Sequence, residues 1–88
     1  MKFITLARWK VKPTKQIVAQ TTKMFEQATE EGGKILAVYW TLGKYDAVVI
    51  SEGKDEKAAM KAILRFGEML STQTMVAITH EEGHALLD

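Results

Sequence analysis

The chain contains no cysteine, a single proline and no long apolar segment, and these shortages exclude several kinds of protein. Without cysteine there is no disulfide framework, no thiolate zinc site and no cysteine nucleophile, which suits a reducing, cytoplasmic setting. No apolar run approaches the roughly 20 residues that cross a bilayer, and we expect no targeting segment. A net charge of +1 provides no overall field for nucleic acid or an anionic membrane, so we expect neither as a partner.

The apolar residues that are present divide the chain into segments of regular structure. Runs rich in β-branched and aromatic residues predict four strands, at residues 2–9, 34–42, 45–51 and 72–79. Apolar residues at helical spacing predict one helix from Lys15 to about Glu31 and a second helix after Asp55. Thr14 and Asp55 are the predicted N-caps, and the tail at 81–87 is expected to add one helical turn.

The order β-α-β-β-α-β predicts one ferredoxin-like α+β domain that covers residues 1–88. Right-handed crossovers give a four-stranded antiparallel sheet in the order 4-1-3-2, with both helices on one face. Within it we expect strands 1 and 3 to point one way and strands 2 and 4 the other way. The connection between strands 2 and 3 is predicted to be a two-residue type II′ turn at Gly43-Lys44.

The predicted sheet is apolar on both faces, although the helices would cover only one of them. In strand 2, one face is expected to carry Ile35, Ala37 and Tyr39, and the other Leu36, Val38 and Trp40. An antiparallel sheet with one face in water normally alternates apolar and polar residues. If a second copy buried about 400 Å² of this apolar surface on each partner, the hydrophobic free energy gained would be on the order of 20 kcal/mol. The cost of association is not yet subtracted from this value. We therefore predict a homodimer or higher oligomer, joined through the face that has no helices.

Two stretches of the chain carry a resemblance to a known family: FITLARW at residues 3–9 and YWTLGKYDAVVISE at residues 39–52. They resemble the GYD-domain proteins, and Gly43-Lys44-Tyr45-Asp46 looks like the family's name motif with one residue inserted. The resemblance implies a dimeric α/β-barrel fold and brings no established reaction. The wider superfamily includes small-molecule monooxygenases, haem-handling proteins and ligand-sensing regulatory domains, so the fold alone does not choose a function.

The candidate site residues gather at one end of the predicted sheet: they are Asp46, Tyr45, Trp40, Tyr39 and His80. With the strand directions given above, the end of strand 4 reaches the start of strand 3, so Asp46 and His80 would lie roughly 10 Å apart. An acidic residue that opens an apolar strand is costly unless its carboxylate is hydrogen-bonded. Two roles are open for Asp46. It is a hydrogen-bond acceptor or a base in a ligand pocket, or its carboxylate accepts backbone N–H groups of the Gly43-Lys44 turn.

Tyr39 and Trp40 are neighbours in one strand, so they should point to opposite faces. We expect one in the helix-side core and the other in the dimer cleft, as ordinary packing or as a stacking surface for a ligand. A basic run, Arg8-Trp9-Lys10-Val11-Lys12 followed by Lys15, is predicted at the opposite end of the sheet from Asp46. The run could hold a phosphate or nucleic acid. Acidic residues elsewhere in the chain balance its charge, however, which favours a solvated loop.

The sequence HEEGH at residues 80–84 matches the H-E-x-x-H signature of zinc proteases. A catalytic zinc needs a third protein ligand, and only Ala85, Leu86, Leu87 and Asp88 follow the second histidine. Gly83 weakens a helix, so His80 and His84 need not share a helical face. We predict that the match is a coincidence and that no metal is bound, with an ion on His80 and His84 as the weak alternative.

Three functions are compatible with the sequence. The first, which we favour, is a homodimeric module that binds a small apolar or aromatic ligand. The second is a small monooxygenase-like enzyme with its pocket beside Asp46 and Tyr45, and the third is a structural or partner-binding domain. Because no nucleophile–base pair, phosphate loop or cofactor fingerprint is visible, we predict no cofactor and lean away from an enzyme.

Overall fold

Four strands and three helices make up the fold in the computed structural model, which describes residues 1–87. The strands are β1 (Lys2–Trp9), β2 (Lys34–Trp40), β3 (Ala47–Glu52) and β4 (Leu70–Ala77), and the helices are α1 (Lys15–Glu30), α2 (Glu56–Phe66) and α3 (His80–Ala85). This order confirms the predicted β-α-β-β-α-β arrangement and its short terminal helix. Of the helices in the described part of the chain, none is long and apolar enough to cross a membrane.

The four strands form one antiparallel sheet in the order β2-β3-β1-β4, which is the predicted order read from the other edge. β1 is antiparallel to both β3 and β4, and β2 is antiparallel to β3. The expectation that strands 1 and 3 point the same way is therefore wrong. The crossover through α1 makes β2 run parallel to β1, and the hairpin then reverses the chain, so that β3 and β4 both oppose β1.

The helices begin where the sequence predicts. The Thr14 hydroxyl accepts the N–H of Ile17 at 3.2 Å and caps α1, and the Asp55 carboxylate accepts the N–H of Ala58 at 2.9 Å and caps α2. After α1 the chain turns at Gly32, whose φ of 100° lies in the left-handed region that favours glycine. These local signals fix where each helix starts and where the first one stops.

The core lies between the sheet and the helices α1 and α2. Phe3, Thr5 and Ala7 of β1 point toward the helices and are buried. The rings of Phe25 on α1 and Phe66 on α2 meet above them, with 5.3 Å between the ring centroids. The opposite face of the sheet, called the bare face below, carries Ile4, Leu6, Val48, Ile50 and Met75.

A β-bulge at Leu36 changes which side chains of β2 share a face. Ile35 lies opposite Ser51, but Ala37 lies opposite Ile50, so one extra residue sits between the two pairs. Ile35 therefore faces the helices, on the same side as Val38 and Trp40. Its predicted place beside Ala37 and Tyr39 is wrong, because the bulge resets the alternation that the prediction assumed.

Candidate functional site

Asp46 stands at the end of the sheet where β1 finishes and β3 begins. Its N–H donates to the carbonyl of Ala7 at 2.8 Å, and its carboxylate Oδ2 accepts the N–H of Trp9 at 2.8 Å. The carboxylate thus takes the place of a backbone acceptor where the ladder between β1 and β3 ends. Asp46 does accept a backbone N–H, but from β1 and not from the Gly43-Lys44 turn as predicted.

The connection between β2 and β3 is longer than the predicted two-residue turn and spans residues 41–46. The N–H of Thr41 donates to the carbonyl of Asp46 at 2.9 Å, and its hydroxyl donates to the carbonyl of Tyr45 at 2.7 Å. Gly43 has a φ of 109°, as a glycine in a tight loop can have. The two bonds of Thr41 close this loop, so the strands separate two residues earlier on each side than the sequence indicates.

The aromatic candidates lie at the same end of the sheet and are largely exposed. Trp40 faces the helix side and meets Trp9 edge to face, with ring centroids 6.4 Å apart. Tyr39 points to the bare face, and the side chains of Trp40 and Tyr39 are 66% and 59% exposed respectively. The Tyr45 hydroxyl donates to Oε1 of Gln73 on β4 at 3.1 Å. Tyr39 and Trp40 do lie on opposite faces, but neither is packed in a core within one chain.

His80 lies at the other end of the sheet from Asp46, so the predicted convergence of these two residues is wrong. In the pairing of β1 with β4, Trp9 is opposite Leu70, the first residue of β4. Asp46 bonds Trp9, so it lies beside the start of β4, whereas His80 follows the end of that strand. The error comes from the strand directions, since β4 runs opposite to β1 and parallel to β3.

The basic run that follows β1 is also misplaced in the prediction, because it leaves the same end of the sheet as Asp46. The N–H of Lys10 donates to the carbonyl of Met69 at 2.8 Å, and its ammonium donates to the carbonyl of Gly67 at 2.9 Å. These bonds fasten the run to the segment between α2 and β4. The remaining basic side chains are exposed, namely Arg8, Lys12 and Lys15.

The HEEGH segment folds as helix α3, which begins after the N-cap Thr79. His80 and His84 are therefore one turn apart on one helical face, contrary to the expectation drawn from Gly83. A capping box between Thr79 and Glu82 offsets the cost of the glycine. Within residues 1–87, no group of three or more His, Cys, Asp or Glu side chains could hold a metal ion. The third ligand that a zinc protease requires is lacking in that part of the chain.

A cavity of about 260 Å³ lies between the sheet and the helices α1 and α2. Its apolar walls include Phe25, Ile35, Val49, Ala62, Ile63 and Phe66. Four hydroxyl side chains of the sheet also line it: Thr5, Ser51, Thr72 and Thr74. The hydroxyls of Thr5 and Thr74 bond each other across β1 and β4 at 2.9 Å. The arrangement is a mostly apolar pocket with a few placed polar groups, which is typical of small-molecule sites.

An ion cluster lies beside the cavity and joins α2 to the residue after α1. Nη2 of Arg65 lies 2.6 Å from Oε1 and 2.7 Å from Oε2 of Glu31. The Lys61 ammonium lies 3.4 Å from the same Oε2. Glu31 and Lys61 are exposed and line the cavity at its solvent side. The hydrogen bond from Arg65 is the main cause that lowers the pKa of the Glu31 carboxyl, against the effect of desolvation. Glu31 therefore stays charged at neutral pH.

The sequence prediction missed this cavity. Its lining includes none of the predicted site residues, which were Asp46, Tyr45, Trp40, Tyr39 and His80. One signal was available: Thr72 and Thr74 are spaced two apart, so they share a face of β4 with Thr5 beside them. Hydroxyl side chains on the face that packs against helices are uncommon in a small core and mark a polar site there.

A four-stranded antiparallel sheet with two helices over one face defines a ferredoxin-like α+β fold. The sequence profile of the GYD domain matches residues 3–87, nearly the whole chain. The chain belongs to the GYD domain family. Among curated proteins, none matches it.

Two solved structures have a similar fold. TTHA0845 from Thermus thermophilus is 21% identical, with 89% of this chain and 92% of that chain covered and a TM-score of 0.53. The hypothetical protein PHS023 from Pyrococcus horikoshii is 20% identical, with 94% of this chain and 95% of that chain covered and a TM-score of 0.55. At these identities the similarity shows the fold alone.

Proposed function

We propose that the protein is a homodimeric module that binds a small apolar or aromatic molecule in the cavity between the sheet and the helices. The observation that carries the proposal is the cavity itself, about 260 Å³ with apolar walls and a row of hydroxyl groups. Its apolar wall meets water while the cavity is empty, and covering that wall with an apolar ligand is favourable.

The size of the cavity limits the ligand. An engineered apolar cavity of about 150 Å³ holds one benzene molecule. A space of about 260 Å³ therefore suits a molecule with one ring and a short substituent, or two fused rings. The hydroxyls of Thr5 and Thr74, which bond each other, supply a donor and an acceptor for one polar group of such a ligand.

The bare face supports the homodimer. Its central apolar residues sit within a polar border formed by Lys2, Arg8, Lys34, Glu52, Ser71 and Gln73. An apolar patch with a polar rim is the usual form of a protein interface. Tyr39 is 59% exposed on this face in the single chain, and a second copy would cover it. We expect light scattering to give twice the chain mass of 9.9 kDa.

The monooxygenase-like alternative draws less support from the geometry. It places the reaction beside Asp46 and Tyr45, but the Asp46 carboxylate already accepts the N–H of Trp9. The Tyr45 hydroxyl donates to Gln73, which is exposed. A general base must lie within reach of a bound substrate, and neither Asp46 nor Tyr45 lines the cavity.

The binding proposal can be tested by titrating methyl-labelled protein with indole, 4-methylphenol and cyclohexanol. We expect the methyl resonances of Ile35, Ile63 and Ala62 to shift with at least one probe. Ala62→Leu fills the cavity and should weaken binding by about tenfold or more. Ala19→Leu adds the same volume at an exposed position of α1 and should leave binding unchanged.

The outcome also decides between the sites. Shifts confined to the methyl groups of Thr41, Leu42 and Ala47, which flank Asp46 in the chain, would move the site to the end of the sheet that the sequence indicated. If no probe shifts any methyl group at millimolar concentration, the cavity does not bind this class of molecule. For the dimer, Val48→Lys places a charge opposite Leu6 and Tyr39 and should give the mass of one chain.

A further inference from the structure

Residues 78–87, called the arm below, leave the end of β4 and stand apart from the rest of the chain. Within residues 1–87, α3 packs extensively against no other helix or strand. The arm nevertheless carries large apolar side chains, with Ile78 54%, Leu86 75% and Leu87 82% exposed. Large apolar side chains normally pack against other apolar groups, and within residues 1–87 of one copy these three stay more than half exposed.

The arm is ordered by its own hydrogen bonds. The Thr79 hydroxyl accepts the N–H of Glu82 at 3.1 Å, and the Glu82 carboxylate accepts the N–H of Thr79 at 3.1 Å. Thr79 has a φ of −69° and a ψ of 161°, so the backbone is still extended at the residue before the helix starts. The capping box thus fixes the residue at which α3 begins and orders the arm without help from the sheet.

A groove of about 320 Å³ runs between α2 and β4. Three apolar residues of its wall are exposed: Met60 at 64%, Leu64 at 79% and Val76 at 59%. β4 is an edge strand of sequence LSTQTMVA, without a charge or a proline. Exposed edge strands are usually protected by such residues or by a bulge, as β2 is by Lys34 and its bulge at Leu36. The unprotected edge and the groove therefore form a surface that is built to be covered.

We infer that the arm of one copy lies in the groove between α2 and β4 of a second copy, with the exchange made in both directions. A two-fold pair of such contacts covers the exposed apolar residues of both arms and both grooves. The bare face offers on the order of 400 Å² of sheet, whereas a stable dimer buries about 800 Å² per partner. The exchanged arms supply apolar contact that the sheet faces alone lack. The inference rests on the dimer proposed above and adds the segment that secures it.

The absence of cysteine allows a clean cross-linking test. Leu64→Cys in one copy and Leu87→Cys in a second, larger tagged copy are mixed and oxidised, and covalent heterodimers are measured on a denaturing gel. We expect these heterodimers to form at least about tenfold faster than the heterodimers of a control pair, in which Leu42→Cys replaces Leu64→Cys. Leu42 is fully exposed in the loop of residues 41–46, so it is at least as accessible as Leu64 to chance collision.

The possible results distinguish a failure of the arm exchange from a failure of the proposed dimer. A faster reaction of the Leu64 pair supports the exchange. Equal rates for the two pairs in a chain of dimeric mass overturn the exchange and leave the dimer standing. If the double variant Leu64→Cys/Leu87→Cys closes within one chain, the arm occupies its own groove and the inference is wrong. A monomeric mass for the unmodified chain overturns both the dimer and the exchange.

Discussion

The loop of residues 41–46 and the segment of residues 78–87 leave opposite ends of the sheet and are held in opposite ways. In the loop, Asp46 bonds β1 residues that are distant in sequence, including Trp9, 37 positions away. In the arm, the side-chain bonds of Thr79 and Glu82 join residues three positions apart. The loop is therefore part of the chain's own fold, whereas the arm has local order and apolar residues that stay exposed in the single chain.

The largest expected effect is at Asp46, where Asp46→Ala should lower the free energy of unfolding by about 2 kcal/mol. The substitution leaves the partly buried N–H of Trp9 without its carboxylate acceptor. Denaturant unfolding measures the change. Asp46→Asn keeps an oxygen that can accept this bond and should lose clearly less. Equal losses for the two variants would show that the charge, and not the bond to Trp9, stabilises this end.

Thr79→Ala should weaken α3 by about 1 kcal/mol and leave the rest of the fold unchanged. It removes the hydroxyl that accepts the N–H of Glu82. Amide hydrogen exchange should become several-fold faster at Glu82 and Gly83, while the amides of β1 keep their protection. Faster exchange throughout β1 would contradict the view that the arm folds separately from the sheet.

Acid should loosen the same helix. The bond from the Thr79 N–H lowers the pKa of Glu82 below its ordinary value of 4.5. A lowered folded-state pKa means that the ionised carboxylate stabilises α3 fully above pH 4.5, and that this contribution disappears as the pH falls through the lower value. Carbon chemical shifts of α3 followed from about pH 6 to about pH 3 should move toward coil values. Glu82→Gln should abolish this acid step.

The smallest expected effect is that of Tyr45→Phe, about 0.5 kcal/mol or less. The variant removes the hydroxyl that donates to Gln73, but both groups lie in contact with water, which replaces the bond. Thermal unfolding of the wild type and variant compares them directly. A loss as large as that of Asp46→Ala would mean that Tyr45, too, belongs to the structural closure of the loop.

The parts of the fold that depend on local chemistry could be predicted from the sequence. Thr14 and Asp55 cap their helices as expected, because capping involves residues three positions apart. The strand order also followed from the order of the elements. The bulge at Leu36 could not be read, since no glycine or proline marks it and a single extra residue resets which side chains face the helices.

The candidate site was harder to predict because it depends on relative strand direction and on the spacing between layers. One error in direction placed His80 beside Asp46, although β4 carries it to the far end of the sheet. The cavity arises from how α1 and α2 sit above the sheet, and no short motif encodes that distance. The hydroxyl residues Thr5 and Thr74 were visible, but their meeting required the register of β1 against β4.

The uncharged edge strand β4 has a consequence for newly folded single copies of the chain. Its unpaired backbone groups and its exposed Val76 can accept any extended chain as an additional strand. At low abundance such copies would be open to misdirected β-sheet growth, and rapid pairing would protect them. In the dimer proposed above, the speed with which two copies find each other would therefore bear on how much usable protein a cell obtains.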